Sequence, residues 1–320
     1  MAKVLIVQPI AQEGIDLLLQ GGLEVKQVHS PPRETFLQEV TETEAILVRD
    51  APISREIIER GKNLKVISRH GAGLDRIDLQ AATERGVVVT YTPVANSVSV
   101  AEHVLGLMFA LTKNLCRMDR ALRGGDFEIR HRFYGMELEG KTLGIVGLGN
   151  VGRRLATKAS QGLGMRVMGY DPYVRAEDLP SGTELASDWD TVFREGDFVS
   201  LHLPLTPQTR EGVGKREFWS MRKTAFFINC ARGAIVREGD LVEALQKGVI
   251  AGAGLDVYSI SPPPRDNPLW TLENTIVTPH SAAHTREAMA NMAVQAAQGI
   301  LEVLSGREPT WPANRIRTKA

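Results

Sequence analysis

Lys141-Thr-Leu-Gly-Ile-Val-Gly-Leu-Gly-Asn-Val-Gly-Arg-Arg-Leu155 is the stretch around which the rest of the chain is organised. Thr142–Val146 has the apolar, partly β-branched composition of a short buried strand. Gly147, Gly149 and Gly152 follow in the spacing G-x-G-x-x-G, and Asn150 to Ala159 continue as a helix. Each glycine answers a different need: Gly147 the tight turn, Gly149 the close approach of backbone to a ligand, Gly152 the packing of helix on strand. The helix that starts there offers unpaired N–H groups and the positive end of its dipole to a pyrophosphate.

Glycines so spaced also punctuate ordinary turns, so context decides. A second strand, Met165–Gly169, runs into Tyr170-Asp171 and places a carboxylate nineteen residues past Gly152. A carboxylate about 20 residues beyond such glycines binds the ribose hydroxyls of NAD and would repel the 2′-phosphate of NADP. Pro172-Tyr173-Val174 adds no cation, so the expected cofactor is NAD.

Working outward, residues 1 to about 97 alternate strand-like runs (3–7, 24–28, 45–48, 65–68, 87–90) with short helical patterns. The alternation resumes after Asp171, with strands near 198–203, 225–230, 250–257 and 275–278. Such alternation implies parallel sheets with helices on both faces. Between the two halves Ser97 or Ser99 can cap a long helix running to about Arg120, and from His284 to about Leu304 a last helix crosses back to the first domain. The expected fold is α/β with two doubly wound parallel-sheet domains. A Rossmann NAD-binding domain, 98–284, is inserted into a flavodoxin-like substrate domain made of 1–97 and 285–320.

Composition narrows the function classes. The chain has 320 residues with 38 basic and 38 acidic side chains, so no global field favours nucleic acid or an anionic membrane. The longest apolar run, Val98–Leu111, is short for a membrane span and carries Glu102 and His103. Two cysteines, Cys116 and Cys230, argue for a reducing cytoplasm rather than a disulfide scaffold, and the N-terminus reads as a first strand, not a secretion signal. No H-E-x-x-H, C-x-x-C or carboxylate–histidine cluster has ligand spacing, so no metal is expected.

Doubly wound sheets place their chemistry beyond the carboxyl ends of strands. In the first half, Ser68-Arg69-His70-Gly71-Ala72-Gly73 puts near-adjacent glycines after a strand, where backbone N–H groups can cradle an anion and Arg69 and His70 can add charge or donors. In the second half, Arg232 follows an apolar strand beside Asn229 and Cys230; a guanidinium there can fork onto a carboxylate and a neighbouring carbonyl oxygen. His280, after Pro279 at another strand end, suits a proton donor and acceptor, with an unperturbed pKa of ~6.5. His29, His103, His131, His202 and His284 remain structural, cofactor-adjacent or undecided.

These segments together resemble the D-isomer-specific 2-hydroxyacid dehydrogenases. The likeness runs through His70-Gly-Ala-Gly-Leu-Asp75, Asn96-Ser-Val-Ser-Val-Ala-Glu102, the nucleotide motif, Leu203-Pro-Leu-Thr-Pro-Gln-Thr209, Asn229-Cys-Ala-Arg-Gly233, Gly254-Leu-Asp256 and Pro279-His280, and is strongest to the phosphoglycerate and hydroxypyruvate branch. The resemblance implies that Arg232 binds substrate and His280 is the general acid/base. It implies that Asn150 and Val151 meet the pyrophosphate and Asp171 the ribose, with Leu203, Pro204, Thr209, Cys230, Ala231 and Asp256 lining the rest of the cofactor. His70, Gly71, Ala72 and Gly73 would hold the substrate carboxylate. It also implies a homodimer joined through the NAD domain, with a small 2-hydroxy or 2-keto acid as substrate. The chain's length suggests no appended regulatory domain. A different class, a dinucleotide-sensing corepressor-like binding protein, is built on the same fold.

One position departs from the pattern. The family carries a Glu just before a Pro, five residues past the aspartate of Gly-Leu-Asp, to hydrogen-bond the catalytic His; here that position is Ser261. His284, four residues past His280, is a second unusual feature.

Overall fold

The computed structural model describes residues 1–316. The chain divides into two compact units, one made of Met1–Asn96 and the chain from Ala283 onward, the other of Ser97–Ala282.

The first unit is built on a parallel sheet of β1 (Lys3–Ile6), β2 (Glu24–Gln27), β3 (Ala45–Val48), β4 (Val66–Arg69) and β5 (Val88–Thr90), in the order β2-β1-β3-β4-β5. This is the flavodoxin-like order. The inner strands are largely apolar on both faces because helices cover both, whereas the edge strand β2 is mostly exposed. Ile46, Val48 and Ile67 feed one core, while Ala45, Leu47 and Val66 feed the other, as a period of two requires. The helix Arg286–Leu304 returns onto the second face through Ala296, Ala297 and Ile300. Ser68, buried on β4, donates its hydroxyl to Ala296 O at 2.8 Å and accepts from Thr90 Oγ1 at 2.9 Å. The returning helix starts at Arg286, and Thr285 caps it by accepting from Ala288 N. His284 therefore lies outside it.

The second unit carries β6 (Thr142–Val146), β7 (Arg166–Tyr170), β8 (Thr183–Leu185), β9 (Phe198–Leu201), β10 (Phe226–Asn229), β11 (Gly252–Leu255) and β12 (Thr275–Val277), all parallel, in the order β12-β11-β10-β9-β6-β7-β8. The order reverses between β6 and β9, the switch point at which a doubly wound sheet opens a crevice. Register sets the ends of five strands abreast: Val146 pairs with Leu201, Leu201 with Asn229, Asn229 with Leu255 and Leu255 with Val277. Whatever follows those residues is delivered to one edge.

The single long helix expected from Ser97 to about Arg120 is two. Ser97–Thr112 is one helix, and Leu115–Arg123 another, with Asn114 between them at φ 53°. Asn tolerates the left-handed region, so no Gly or Pro was needed to announce the break. The first helix buries Val100, Ala101, Val104, Leu107, Met108 and Leu111, and the second buries nothing. The helix begins at Ser97; Ser97 Oγ accepts from Arg154 and Ser99 Oγ donates to Ala282 O at 2.6 Å. Among the described residues no helix is long and apolar enough to cross a membrane.

Candidate active site at the carboxyl ends of the second sheet

The chain leaves β6 through Gly147, whose φ of +102° belongs to the region that glycine alone enters without strain. A Cβ at Gly147 would stand 2.7 Å from His202 O, and one at Gly152 would stand 2.1 Å from Gly147 O, so helix and turn touch backbone to backbone. Gly149 is different. A Cβ there would meet nothing within 4 Å, so no contact within the protein requires glycine at this position. Asp171 accepts from Leu148 N at 2.9 Å with one oxygen and from Tyr173 N at 3.0 Å with the other, which ties the end of β7 to the glycine turn. A vacant approach at Gly149, the helix N-terminus at Asn150–Val151 and a fixed carboxylate at Asp171 fit a dinucleotide.

The neighbouring strand ends complete this edge. After β9, Thr209 Oγ1 donates to Pro204 O at 2.7 Å and accepts from Thr206 N at 2.8 Å, so Thr209 closes the turn that follows Leu203-Pro204. His202 Nε2 lies 2.9 Å from Ser200 Oγ, and desolvation pushes the imidazole down to about 4, so it stays neutral at pH 7. After β10, the Asn229 side chain folds across the turn, accepting from Ala231 N and donating to Arg232 O, both at 3.0 Å. Cys230 is buried there, and burial raises its thiol well above the ordinary value, so it stays un-ionised. Arg232 is half-buried and donates from Nη1 to Ala231 O at 2.7 Å. A Cβ at Gly233 would fall 1.9 Å from the Tyr258 carbonyl, so the exits of β10 and β11 are in backbone contact.

After β11 comes Asp256, fully buried, and after β12 Thr278-Pro279-His280. Asp256 accepts from Thr278 Oγ1 at 2.5 Å, from Ser281 N at 2.8 Å and from Ala282 N at 2.9 Å. His280 is exposed and sits in the left-handed region at φ 54°. Arg232 and His280 thus leave strands two apart in one sheet, about 10 Å between strand axes at the usual spacing. Ser261 is exposed, on a segment that Glu238 holds by accepting from Ser259 N and Asn267 Nδ2, each at 2.8 Å.

In the first unit, β4 runs into His70–Gly73. Arg69 does not point into solvent; it donates to Gly73 O at 3.0 Å and to His70 O, and its Nη2 stands 3.4 Å from Asp50. With those carbonyls engaged, the N–H groups of Ala72 and Gly73 have no hydrogen-bond acceptor among the described residues, the arrangement an anion would satisfy. His70 is 3 % exposed, and desolvation, followed by the Arg49 and Arg69 charges, pushes it down to about 4. It therefore contributes no charge at neutral pH, and of the charge or donors expected of it only a donor remains; its Nε2 has no partner among the described residues. Also in this unit, Arg49 Nη2 lies 3.5 Å from His284 Nε2.

Sequence reasoning left His103 undecided and passed over Thr278 and Tyr258. The structure places the His103 imidazole 3.0 Å from Thr278 Oγ1, and Tyr258 donates its hydroxyl to Thr278 O at 2.8 Å. The spacing inside the first helix of this unit gave no hint of it, because the partner lies 175 residues away. Among the described residues no group of three or more His, Cys, Asp and Glu side chains could hold a metal.

Comparison with known proteins agrees with this geometry. Residues 105–282 match the family model described as D-isomer specific 2-hydroxyacid dehydrogenase, NAD binding domain. A D-3-phosphoglycerate dehydrogenase of Methanocaldococcus jannaschii is 41 % identical over 308 residues, 96 % of this chain and 58 % of that protein. The chain therefore spans little more than half the length of that relative. A hydroxypyruvate reductase of Thermotoga maritima is 38 % identical over 306 residues, 94 % of this chain and 98 % of that one. The structure of an Entamoeba histolytica 3-phosphoglycerate dehydrogenase with NAD+ bound superposes with a TM-score of 0.84 at 26 % identity, covering 98 % of this chain and 99 % of that one. Fold, nucleotide turn and relatives agree: the chain belongs to the D-isomer-specific 2-hydroxyacid dehydrogenase family, and its cofactor is NAD.

Proposed function

We propose that this protein is an NAD-dependent oxidoreductase that moves a hydride between nicotinamide and the C2 carbon of a small D-2-hydroxy or 2-keto acid. The observation that carries this reading is the delivery of Arg232 and His280 to the edge that bears the nucleotide turn, each from a turn pinned by its own buried Asn229 or Asp256. Bound nicotinamide supplies or accepts the hydride. Arg232 holds the carboxylate and polarises the C2 oxygen, whose partial negative charge grows as the carbonyl is reduced. His280 gives its proton to that oxygen during reduction and takes it back from the hydroxyl during oxidation. In the first unit, the N–H groups at Ala72 and Gly73, which have no acceptor among the described residues, are the proposed binding place for an anionic group.

The substrate we favour is glycerate/hydroxypyruvate-like or 3-phosphoglycerate-like. Arg49 and the imidazole of His284, 3.5 Å apart, suit a second anionic or hydroxyl group, and the names of the relatives point the same way. We also propose a homodimer formed through the NAD-binding domain. Leu115, Leu122, Phe127 and Tyr134 are exposed there, beside a cleft of 840 Å³ lined by Arg117, Phe133 and Trp270. Two unpaired cysteines, Cys116 exposed and Cys230 buried, fit a cytoplasmic location. Relatives that are dehydrogenases and reductases weigh against a corepressor-like sensor.

The test is NADH oxidation by the purified protein against hydroxypyruvate, glyoxylate, pyruvate, phosphohydroxypyruvate and larger keto acids. Turnover of at least one is expected; NADH binding with turnover of none would remove the enzyme reading. Ser261 adds a second expectation. A carboxylate beside an imidazole favours its protonated form, so a Ser there withholds that stabilisation. Ser261→Glu should move the alkaline fall of keto-acid reduction up by about one pH unit. An unchanged pH profile would show that Ser261 is irrelevant to His280.

A further inference from the structure

His103 sits on the buried helix of the second unit, Ser97–Thr112, and nothing in the proposed chemistry uses it. Its side chain is 23 % exposed, and its Nε2 faces two groups, Thr278 Oγ1 at 3.0 Å and the fully buried Asp256 Oδ1 at 3.7 Å. The direction of the hydrogen bonds follows from donor counting. Asp256, as a carboxylate, only accepts, so the 2.5 Å contact to Thr278 Oγ1 requires the threonine to donate its one hydroxyl proton. The 3.5 Å approach of Thr278 Oγ1 to Leu255 O is too long to compete for that proton. Thr278 Oγ1 then has only lone pairs left for His103, and Nε2 must carry the hydrogen. The chain runs His103 Nε2–H to Thr278 Oγ1–H to Asp256 Oδ1, and it holds whether the imidazole is neutral or protonated, because both forms can donate from Nε2.

What this chain supports is the turn that carries His280. Asp256 takes Ser281 N and Ala282 N, while Thr278 O takes the Tyr258 hydroxyl at 2.8 Å and His280 N at 3.1 Å. Every one of these bonds lies next to or on a residue flanking His280. The turn needs such holding, because His280 occupies the left-handed region at φ 54°, which is strained for a residue with a Cβ. A non-glycine residue stays there only when its surroundings over-determine it.

We propose that His103 is a positioning residue for catalysis: by donating to Thr278 it fixes the Thr278–Asp256 pair and so the left-handed turn from which His280 reaches the substrate. This rests on His280 being the general acid/base. Loss of the His103 donor leaves the nucleotide turn untouched and loosens the placement of one imidazole. The effect falls on the proton-transfer step rather than on binding, as a misplacement of about 1 Å lowers rate by up to roughly 10²-fold.

The experiment compares His103→Leu, His103→Gln, Thr278→Val, the His103→Leu/Thr278→Val double variant and His280→Asn in the whole chain, with steady-state reduction of the keto acid the wild type turns over and NADH binding by fluorescence. His103→Leu should lower kcat about ten-fold or more while the Kd for NADH and the KM for the keto acid stay within two-fold. His103→Gln presents an amide N–H near the position of Nε2 and should bring kcat back to within about three-fold of wild type. Thr278→Val should show the same loss, and the double variant should be no slower than either single one, since the two side chains act as one link. The proposal falls if kcat of His103→Leu stays within two-fold of wild type, if Gln fails to restore it, or if the two losses multiply. Should His103→Leu fold poorly, Thr278→Val alone and His103→Gln alone still decide it: full activity in the first, or a ten-fold loss in the second, overturns it. Full kcat in His280→Asn would instead overturn the general acid/base reading on which the proposal stands.

Discussion

Replacing Arg232 by Ala is expected to lower kcat/KM for the keto acid by about 10³-fold or more, roughly 4 kcal/mol of transition-state stabilisation. In the proposed function the guanidinium does two things together: it forks onto the carboxylate and stands beside the C2 oxygen as charge develops on it. The loss should be confined to chemistry. The turn that presents Arg232 is held by Asn229, through Ala231 N and Arg232 O, and both bonds are independent of the Arg232 side chain. NADH affinity should therefore change less than three-fold, and Arg232→Lys should recover little, because an ammonium has no planar fork. Steady-state kinetics with NADH titration checks this, and turnover within ten-fold of wild type would remove Arg232 from the reaction.

His280→Asn is expected to lower kcat by 10²- to 10⁴-fold, the range a positioned acid/base supplies. Asn is the informative replacement. It accepts the left-handed φ that His280 adopts at 54°, so the Asp256-held turn survives, while no imidazole remains at that position to carry the proton. The residual rate should also lose the pH limb that belongs to the imidazole. A variant that keeps the wild-type pH profile at reduced rate would mean that the titrating group is elsewhere.

Much of this architecture was legible in the chain. Both parallel sheets follow from apolar, β-branched runs separated by helical patterns, since strands covered on both faces need no alternation of polarity. The nucleotide turn was legible because two of its glycines are dictated by backbone: a Cβ at Gly147 or Gly152 would stand 2.7 or 2.1 Å from a carbonyl oxygen, a constraint that admits no substitute. The break at Asn114 was not, because Asn is one of the few residues that turns a helix without a Gly or Pro. The short edge strand Thr183–Leu185 was missed for a similar reason: its residues are exposed or half-buried and carry no apolar pattern. The link from His103 to Thr278 was invisible because it joins a helix to a strand end across most of the second unit, and tertiary hydrogen bonds leave no periodicity. Sequence reading gave no hint that Arg69, a cation beside glycines, also organises the loop by taking up its carbonyls.

Asp171 carries a consequence for anyone wishing to re-engineer cofactor preference. Its two oxygens are the acceptors for Leu148 N and Tyr173 N, so the charge proposed to select against a phosphorylated ribose is also the clip that closes the glycine turn. Exchange for a small neutral residue would remove the repulsion and unfasten the clip in the same stroke, costing affinity for either dinucleotide before any new preference emerged. Reversal of selectivity in this scaffold is therefore a two-part design task, in which a replacement acceptor for the 148 and 173 amides has to be installed together with the cation that greets the extra phosphate.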